Sequence, residues 1–159
     1  MTFRLLAALF LSLIAAQPAW AQADKFDAGD WWWVDVTGDG TLPNLFLTNG
    51  EGVRRGDRVE LDVFMIFREP DENGVSAVRV RDIIDCAGKT RANGATALIY
   101  ADGRIVEPDS AAIEERGAID PETSMFIFAC STNRSHATHI GPGSRRQVAV
   151  GLFDKYPEE

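Results

Sequence analysis

From Arg58 to Arg68 the chain alternates like a strand. Val59, Leu61, Val63, Met65 and Phe67 fall on one face, and Glu60, Asp62, Phe64, Ile66 and Arg68 on the other. The second face begins charged and turns apolar, so it needs a cover only towards its far end. Ser76 to Cys86 alternates in the same way and ends on a cysteine. Between the two, Pro70-Asp71-Glu72-Asn73 reads as a four-residue hairpin loop. The register carried back from that loop pairs Val63 with Val80, Met65 with Val78, Val59 with Ile84 and Asp62 with Arg81. It also sets Leu61 against Asp82. A slip by one residue would place apolar against charged side chains along the ladder.

Shorter patterns flank this hairpin. Trp31 to Val36 is strongly β-prone, with tryptophan rings on both faces. Thr37 to Gly40 reads as a turn, Leu45 to Thr48 as a strand and Asn49 to Gly52 as another tight turn. Ala95 to Ala101 and Arg104 to Glu107 read as a hairpin through a two-residue Asp102-Gly103 turn, setting Tyr100 against Ile105. Asp109 to Arg116 reads as a loop or a short helical turn. Ser124 to Cys130 is apolar all round, which fits a helix or a buried strand; Asp120 as N-cap with Pro121 after it favours a helix. Such a helix is expected to cover the apolar end of the second face. Ser131 to Arg146, rich in Ser, Thr, Asn, Gly and Pro, reads as a mobile segment, and Gln147 to Phe153 as a last short strand. The expected fold is α+β: an antiparallel sheet of about six strands, one helix near Cys130 packed on one face, and one disulfide.

Composition changes the picture mainly through compartment. Arg4, the apolar run Leu5 to Ala16 and the small-x-small Ala19-Trp20-Ala21 form an export signal over residues 1–21, with cleavage expected after Ala21. The signal has no lipid-acceptor cysteine, and no later apolar run reaches spanning length. The remainder is long enough for one domain with a real core. A periplasmic or secreted location is expected, where the two cysteines, Cys86 and Cys130, read as a disulfide. Losing Arg4 leaves 24 acidic side chains against 15 basic ones. That balance argues against nucleic acid and against anionic lipid as partners.

Candidate chemistry is sparse. His136 and His139 are spaced as metal ligands on a helix, but no cysteine or carboxylate stands near them, so solvated side chains are expected and no metal. No serine lies in a nucleophile-elbow pattern, no phosphate loop is present, and the carboxylates form no evident catalytic pair. No catalytic residue and no cofactor are expected. Two surfaces remain as binding candidates. One is the aromatic run, with Trp31 and Trp33 on one face, although large aromatics are usually buried. The other is the basic cluster Arg54, Arg55 and Arg58, which fits an acidic partner if it does more than face solvent.

The order of several features carries a family resemblance. It runs from the early Trp strand through Arg55-Gly56-Asp57-Arg58-Val59 to Asp82-Ile83-Ile84-Asp85-Cys86. Arg91, Tyr100 with Asp102-Gly103, and a Pro121-started segment ending in Cys130-Ser131 follow. From Trp31 to Ser131 the chain resembles the bacterial surface-adhesin protein E-like domain. The resemblance implies a sheet with a packed helix, a disulfide matching Cys86 and Cys130, dimerisation, and adhesion to host extracellular-matrix proteins. The expected organisation is therefore a signal at 1–21, an adhesin E-like β-rich domain at 22–131 and a flexible C-terminal extension at 132–159. The expected function is that of an exported, non-catalytic protein-binding module; the alternative is a periplasmic inhibitor or envelope-maintenance protein that binds an enzyme or a cell-wall component.

Overall fold

A computed structural model describes residues 24–34, 44–108, 116–132 and 134–156. The expected signal segment, the turn at 37–40 and most of the loop at 109–116 lie outside the described residues. The described strands are β1 (Ala28–Val34), β2 (Asn44–Asn49), β3 (Val53–Arg55), β4 (Arg58–Phe67), β5 (Val75–Asp85), β6 (Thr90–Tyr100), β7 (Ile105–Val106), β8 (Gly117–Ala118) and β9 (Ala137–Ser144). The helices are α1 (Ser124–Cys130) and α2 (Arg145–Lys155). All pairings are antiparallel, in the order β7-β6-β5-β4-β2-β1-β9. β3 joins β4 beside β2, and β8 joins β6 beside β7. The strand count exceeds six because β3 and β8, pieces of three and two residues too short to show a period, and β9, in a stretch that reads as a mobile segment, join the sheet.

The central hairpin has the expected register. Val59 pairs with Ile84, Leu61 with Asp82, Asp62 with Arg81, Val63 with Val80 and Met65 with Val78. In its loop the Asp71 carboxylate accepts from the backbone N–H of Asn73 and Val75, and Gly74 takes a positive φ of 81°. The β6–β7 hairpin differs from expectation by one residue. Ile99, not Tyr100, faces Ile105, and the Tyr100 N–H donates to the Arg104 carbonyl, so the loop holds three residues.

The two faces of β4 carry separate cores. Val59, Leu61 and Val63 join Val34, Ile84, Met125, Phe128 and Ala129 under α1. Phe64 and Ile66 join Trp31, Leu45, Leu47, Ala77 and Ile99 under Ala149, Leu152 and Phe153 of α2. This corrects the expected placement of the first helix. α1 covers the face of Val59, and α2 covers the apolar end of the other. The Cys86–Cys130 disulfide, with Cα atoms 5.4 Å apart, explains why α1 lies where it does, since Cys86 follows the Val59 end of the ladder. Its cap also differs: Thr123 accepts from the Phe126 N–H, while Asp120 closes a turn on Glu122 just before it.

The described C-terminal residues, 134–156, are part of the fold as strand and helix, which differs from the expectation of a flexible extension at 132–159. β9 pairs with β1 from Ala28↔Ser144 to Val34↔Ala137. It is the outermost strand, so Pro142 costs no ladder bond that the sheet needs, and Gly141 takes a φ of 101° where the register shifts by a bulge. Residues 147–153, expected as a strand, are helical. Ser144 caps α2 by accepting from the Gln147 N–H. Asp27 reinforces the cap: its carboxylate accepts from Ser144 Oγ at 2.7 Å and from the Arg146 N–H at 3.0 Å. Beside it, Arg145 is 2% exposed and paired with the equally buried Asp24 at 2.5 Å.

Leu152 and Phe153 alone contribute about 1.5–3 kcal/mol each by burial, against a typical domain stability of about 5–15 kcal/mol. A chain ending at Ser131 is therefore expected to show no cooperative thermal transition, as followed by circular dichroism. The disulfide closes a separation of 44 residues, for which chain entropy gives roughly 4 kcal/mol. Replacing both cysteines by alanine is expected to cost about that much in denaturant titration.

Candidate functional site

α2 covers only the Ile66 end of its face. Towards the start of β4 the same face stays open, and the ladder decides what it displays. Arg55 pairs with Arg58, and Arg58 with Asp85. Val53 pairs with Glu60, Glu60 with Ile83, and Asp62 with Arg81. A cleft of about 350 Å³ opens over these rungs, between Val53, Arg55, Glu60, Asp62 and Arg81 and the turn at 49–52. That turn must come close. A Cβ on Gly52 would lie 2.4 Å from Leu61 Cδ2 and 2.7 Å from the Glu60 carbonyl oxygen, and its φ is 81°.

Charge in the cleft is largely committed. Asp62 accepts from Arg79 at 2.6 Å and from Arg81 at 3.1 Å, and this bonding raises Arg81 above its ordinary value. Glu60 pairs with Arg58 at 3.2 Å, and Glu51 with Arg134 at 3.2 Å. Among the described residues, Arg55 is the cation of this face with no acidic partner. Val53 stands next to it, 56% exposed. A surface of this kind can take one carboxylate and one apolar side chain from a partner.

The other candidate residues go elsewhere. Trp31 is 0% exposed; its ring meets Phe64 edge-on at 5.3 Å, and its Nε1–H donates to the Gly143 carbonyl. Trp33 is half-buried against Tyr156, with ring centroids 5.1 Å apart. The strand's pleat turns both towards α2, in keeping with the burial usual for large aromatics rather than with a binding patch. Arg54 is on the opposite face from Arg55. Its guanidinium donates to the Ala129 carbonyl at 2.6 Å and reaches Cys86 Sγ at 4.0 Å. It satisfies the end of α1, whose last turn carries no basic residue of its own. Arg134 does the same at the Phe128 carbonyl, at 2.6 Å. Of the expected binding residues, only Arg55 and Arg58 come together on an open face. Glu60, Asp62, Arg81 and Val53 were not singled out as site residues, although the parity of β4 carried into β3 places them there.

His136 and His139 do not converge. His139 stacks on Trp32 at 4.5 Å and holds Asp30 through Nε2 at 2.8 Å, while His136 is exposed. Among the described residues no group of three or more His, Cys, Asp or Glu side chains is placed to hold a metal. No described helix is long and apolar enough to cross a membrane. An intramolecular disulfide is compatible with an oxidising compartment.

Asp82 is the buried charge of the other face. It is 0% exposed and held by Arg91, whose Nη2 donates to Oδ1 at 2.9 Å. The same nitrogen is 2.7 Å from Oδ2 but gives that atom no aligned hydrogen. Burial raises the Asp82 carboxyl above its ordinary value, and Arg91 only partly opposes this. The folded chain therefore keeps a proton that the unfolded chain has already released. The resulting stability is complete below the unfolded pKa and is lost as pH rises through the folded one. Relative to Asp82→Asn, the wild type is expected to lose stability with rising pH across that window. Urea titrations at several pH values check this; parallel curves for the two proteins would contradict it.

No family model matches the chain, and neither a curated protein nor a solved structure matches it.

Proposed function

We propose that the chain is an exported, non-catalytic binding module that recognises a protein through the open half of its second sheet face. The observation that supports this is the pairing of Arg55, uncommitted among the described residues, with the exposed Val53 at the rim of the cleft. Every described carboxylate lining that cleft already holds an arginine. What is left for a partner is a positive charge beside an apolar contact. Arg is favoured at such positions because its planar fork engages a carboxylate through two hydrogen bonds. The preferred partner is thus a protein surface with an exposed Asp or Glu next to a small apolar residue. A surface-adhesin E-like role, with extracellular-matrix protein as the ligand, is the reading that the motifs favour. Binding of an envelope enzyme would use the same face.

Affinity capture from extracellular-matrix preparations and from bacterial envelope extracts tests the proposal. Arg55→Glu and Val53→Asp are each expected to reduce capture by about ten-fold or more, since a desolvated charge contact contributes about 1.5–3 kcal/mol. The thermal midpoint should not move, because neither side chain is buried in the core. Capture from matrix alone supports adhesion, and capture of an envelope enzyme supports inhibition. Capture that survives both substitutions together would refute the assigned face.

A further inference from the structure

The two sulfurs of the Cys86–Cys130 bridge have unlike surroundings, and neither cysteine is sealed in the core. On the Cys86 side, Arg54 places Nη1 4.0 Å from Sγ while its Nη2 donates to the Ala129 carbonyl at 2.6 Å. Among the described residues no carboxylate pairs with Arg54. Asp85, next to Cys86 in the chain, is held by Arg116 at 2.9 Å, and Asp57 meets the Cys86 N–H through its main-chain carbonyl.

On the Cys130 side the balance is reversed. Cys130 is the last residue of α1, where the backbone carbonyls gather partial negative charge. The cation at this end is Arg134, which donates to the Phe128 and Ser131 carbonyls and is paired with Glu51 at 3.2 Å. A thiolate at Cys86 therefore meets an unbalanced cation, and one at Cys130 meets carbonyls. A neighbouring cation lowers a thiol's pKa, and the sulfur of lower pKa leaves faster in thiol–disulfide exchange.

We propose that Cys130 is a site of mixed-disulfide formation with an external thiol, and that Arg54 directs the exchange by receiving Cys86 as the leaving thiolate. The attacking thiolate bonds to Cys130 Sγ, the Cys86–Cys130 bond breaks, and its electron pair stays on Cys86 Sγ beside Arg54. A second thiolate then takes the external sulfur, and Cys130 leaves as a thiolate. The two external thiols end as a disulfide, the protein gains two electrons, and the protons shed by those thiols go to Cys86 and Cys130. The partner class is a small thiol or a dithiol protein. Arg54 lies on the opposite face from Arg55, so the proposal does not rest on the protein-binding reading.

Reduced glutathione, added to the folded, oxidised protein and quenched within seconds by excess N-ethylmaleimide, tests it. Peptide mass mapping is expected to find glutathione on Cys130 and maleimide on Cys86, in about five-fold or greater excess over the reverse arrangement. Bridge opening by glutathione should slow about three- to ten-fold in Arg54→Gln and recover in Arg54→Lys. A purely structural Arg54 gives the opposite result, since its loss would free the end of α1, expose the bridge and speed opening. If Arg54→Gln fails to fold, the wild type decides alone: salt at about 1 M, where the Debye length is about 3 Å, should shrink the excess. Glutathione shared equally between the cysteines, or found on Cys86, would overturn the proposal. So would faster opening in Arg54→Gln, or a bridge in the folded protein that glutathione does not open.

Discussion

The architecture follows from one constraint: β4 is apolar on both faces, but at different heights. Val59, Leu61 and Val63 need cover at the start of one face, while Phe64 and Ile66 need it at the end of the other. One helix cannot serve both, so the chain supplies two, on opposite sides and displaced along the strand. Of the two quadrants that the diagonal arrangement leaves with no described helix over them, one is the start of the α2 face. Glu60, Asp62 and Arg81 occupy that quadrant because it faces water, and the candidate cleft is therefore a consequence of how the core is divided.

The two helices are attached by different means. α1 has seven residues, too short to persist alone, and it is tied by the disulfide and by Arg54 and Arg134 at its carbonyl end. α2 is attached without a covalent link. Asp24 and Asp27, on the segment before β1, neutralise Arg145 and cap the first turn. β1 and β9 bring these residues together over more than 100 positions of sequence, at Ala28↔Ser144. The pair Asp24–Arg145 is almost dry, so its contribution is mainly to specify where the N-terminal segment and α2 meet; buried pairs add little net stability.

This difference explains what the sequence reveals. The β4–β5 ladder was legible rung by rung, because a four-residue loop fixed its register and each slip carried a penalty along the whole hairpin. The disulfide was legible because only two cysteines exist. The C-terminal third was not. The residues of α2 that point inward are Arg145, Ala149, Leu152 and Phe153, which have helical spacing, but an arginine opens the series and conceals it. Asp24 and the Phe26 carbonyl, remote in sequence, make that arginine a core residue. β9 was hidden for a related reason: Gly141, Pro142 and Gly143 have little strand propensity, and the edge position with its bulge tolerates them. Arg54 and Arg55 read as one basic cluster, yet strand alternation sends one to a helix end and the other to the cleft.

Charge acts on the candidate cleft over two ranges. At contact distance Arg55 attracts a carboxylate. Over longer distances the body, with a formal net charge of −8, repels an acidic partner. The Debye length is about 8 Å at physiological ionic strength, so the long-range repulsion is largely screened there while a desolvated contact is not. Low salt should therefore slow encounter with an acidic partner even as it strengthens the final contact, the reverse of ordinary electrostatic steering. The cleft is thus better suited to recognition at contact than to capture at a distance, and Val53 matters for the same reason: apolar burial holds a partner once it has arrived, at any ionic strength.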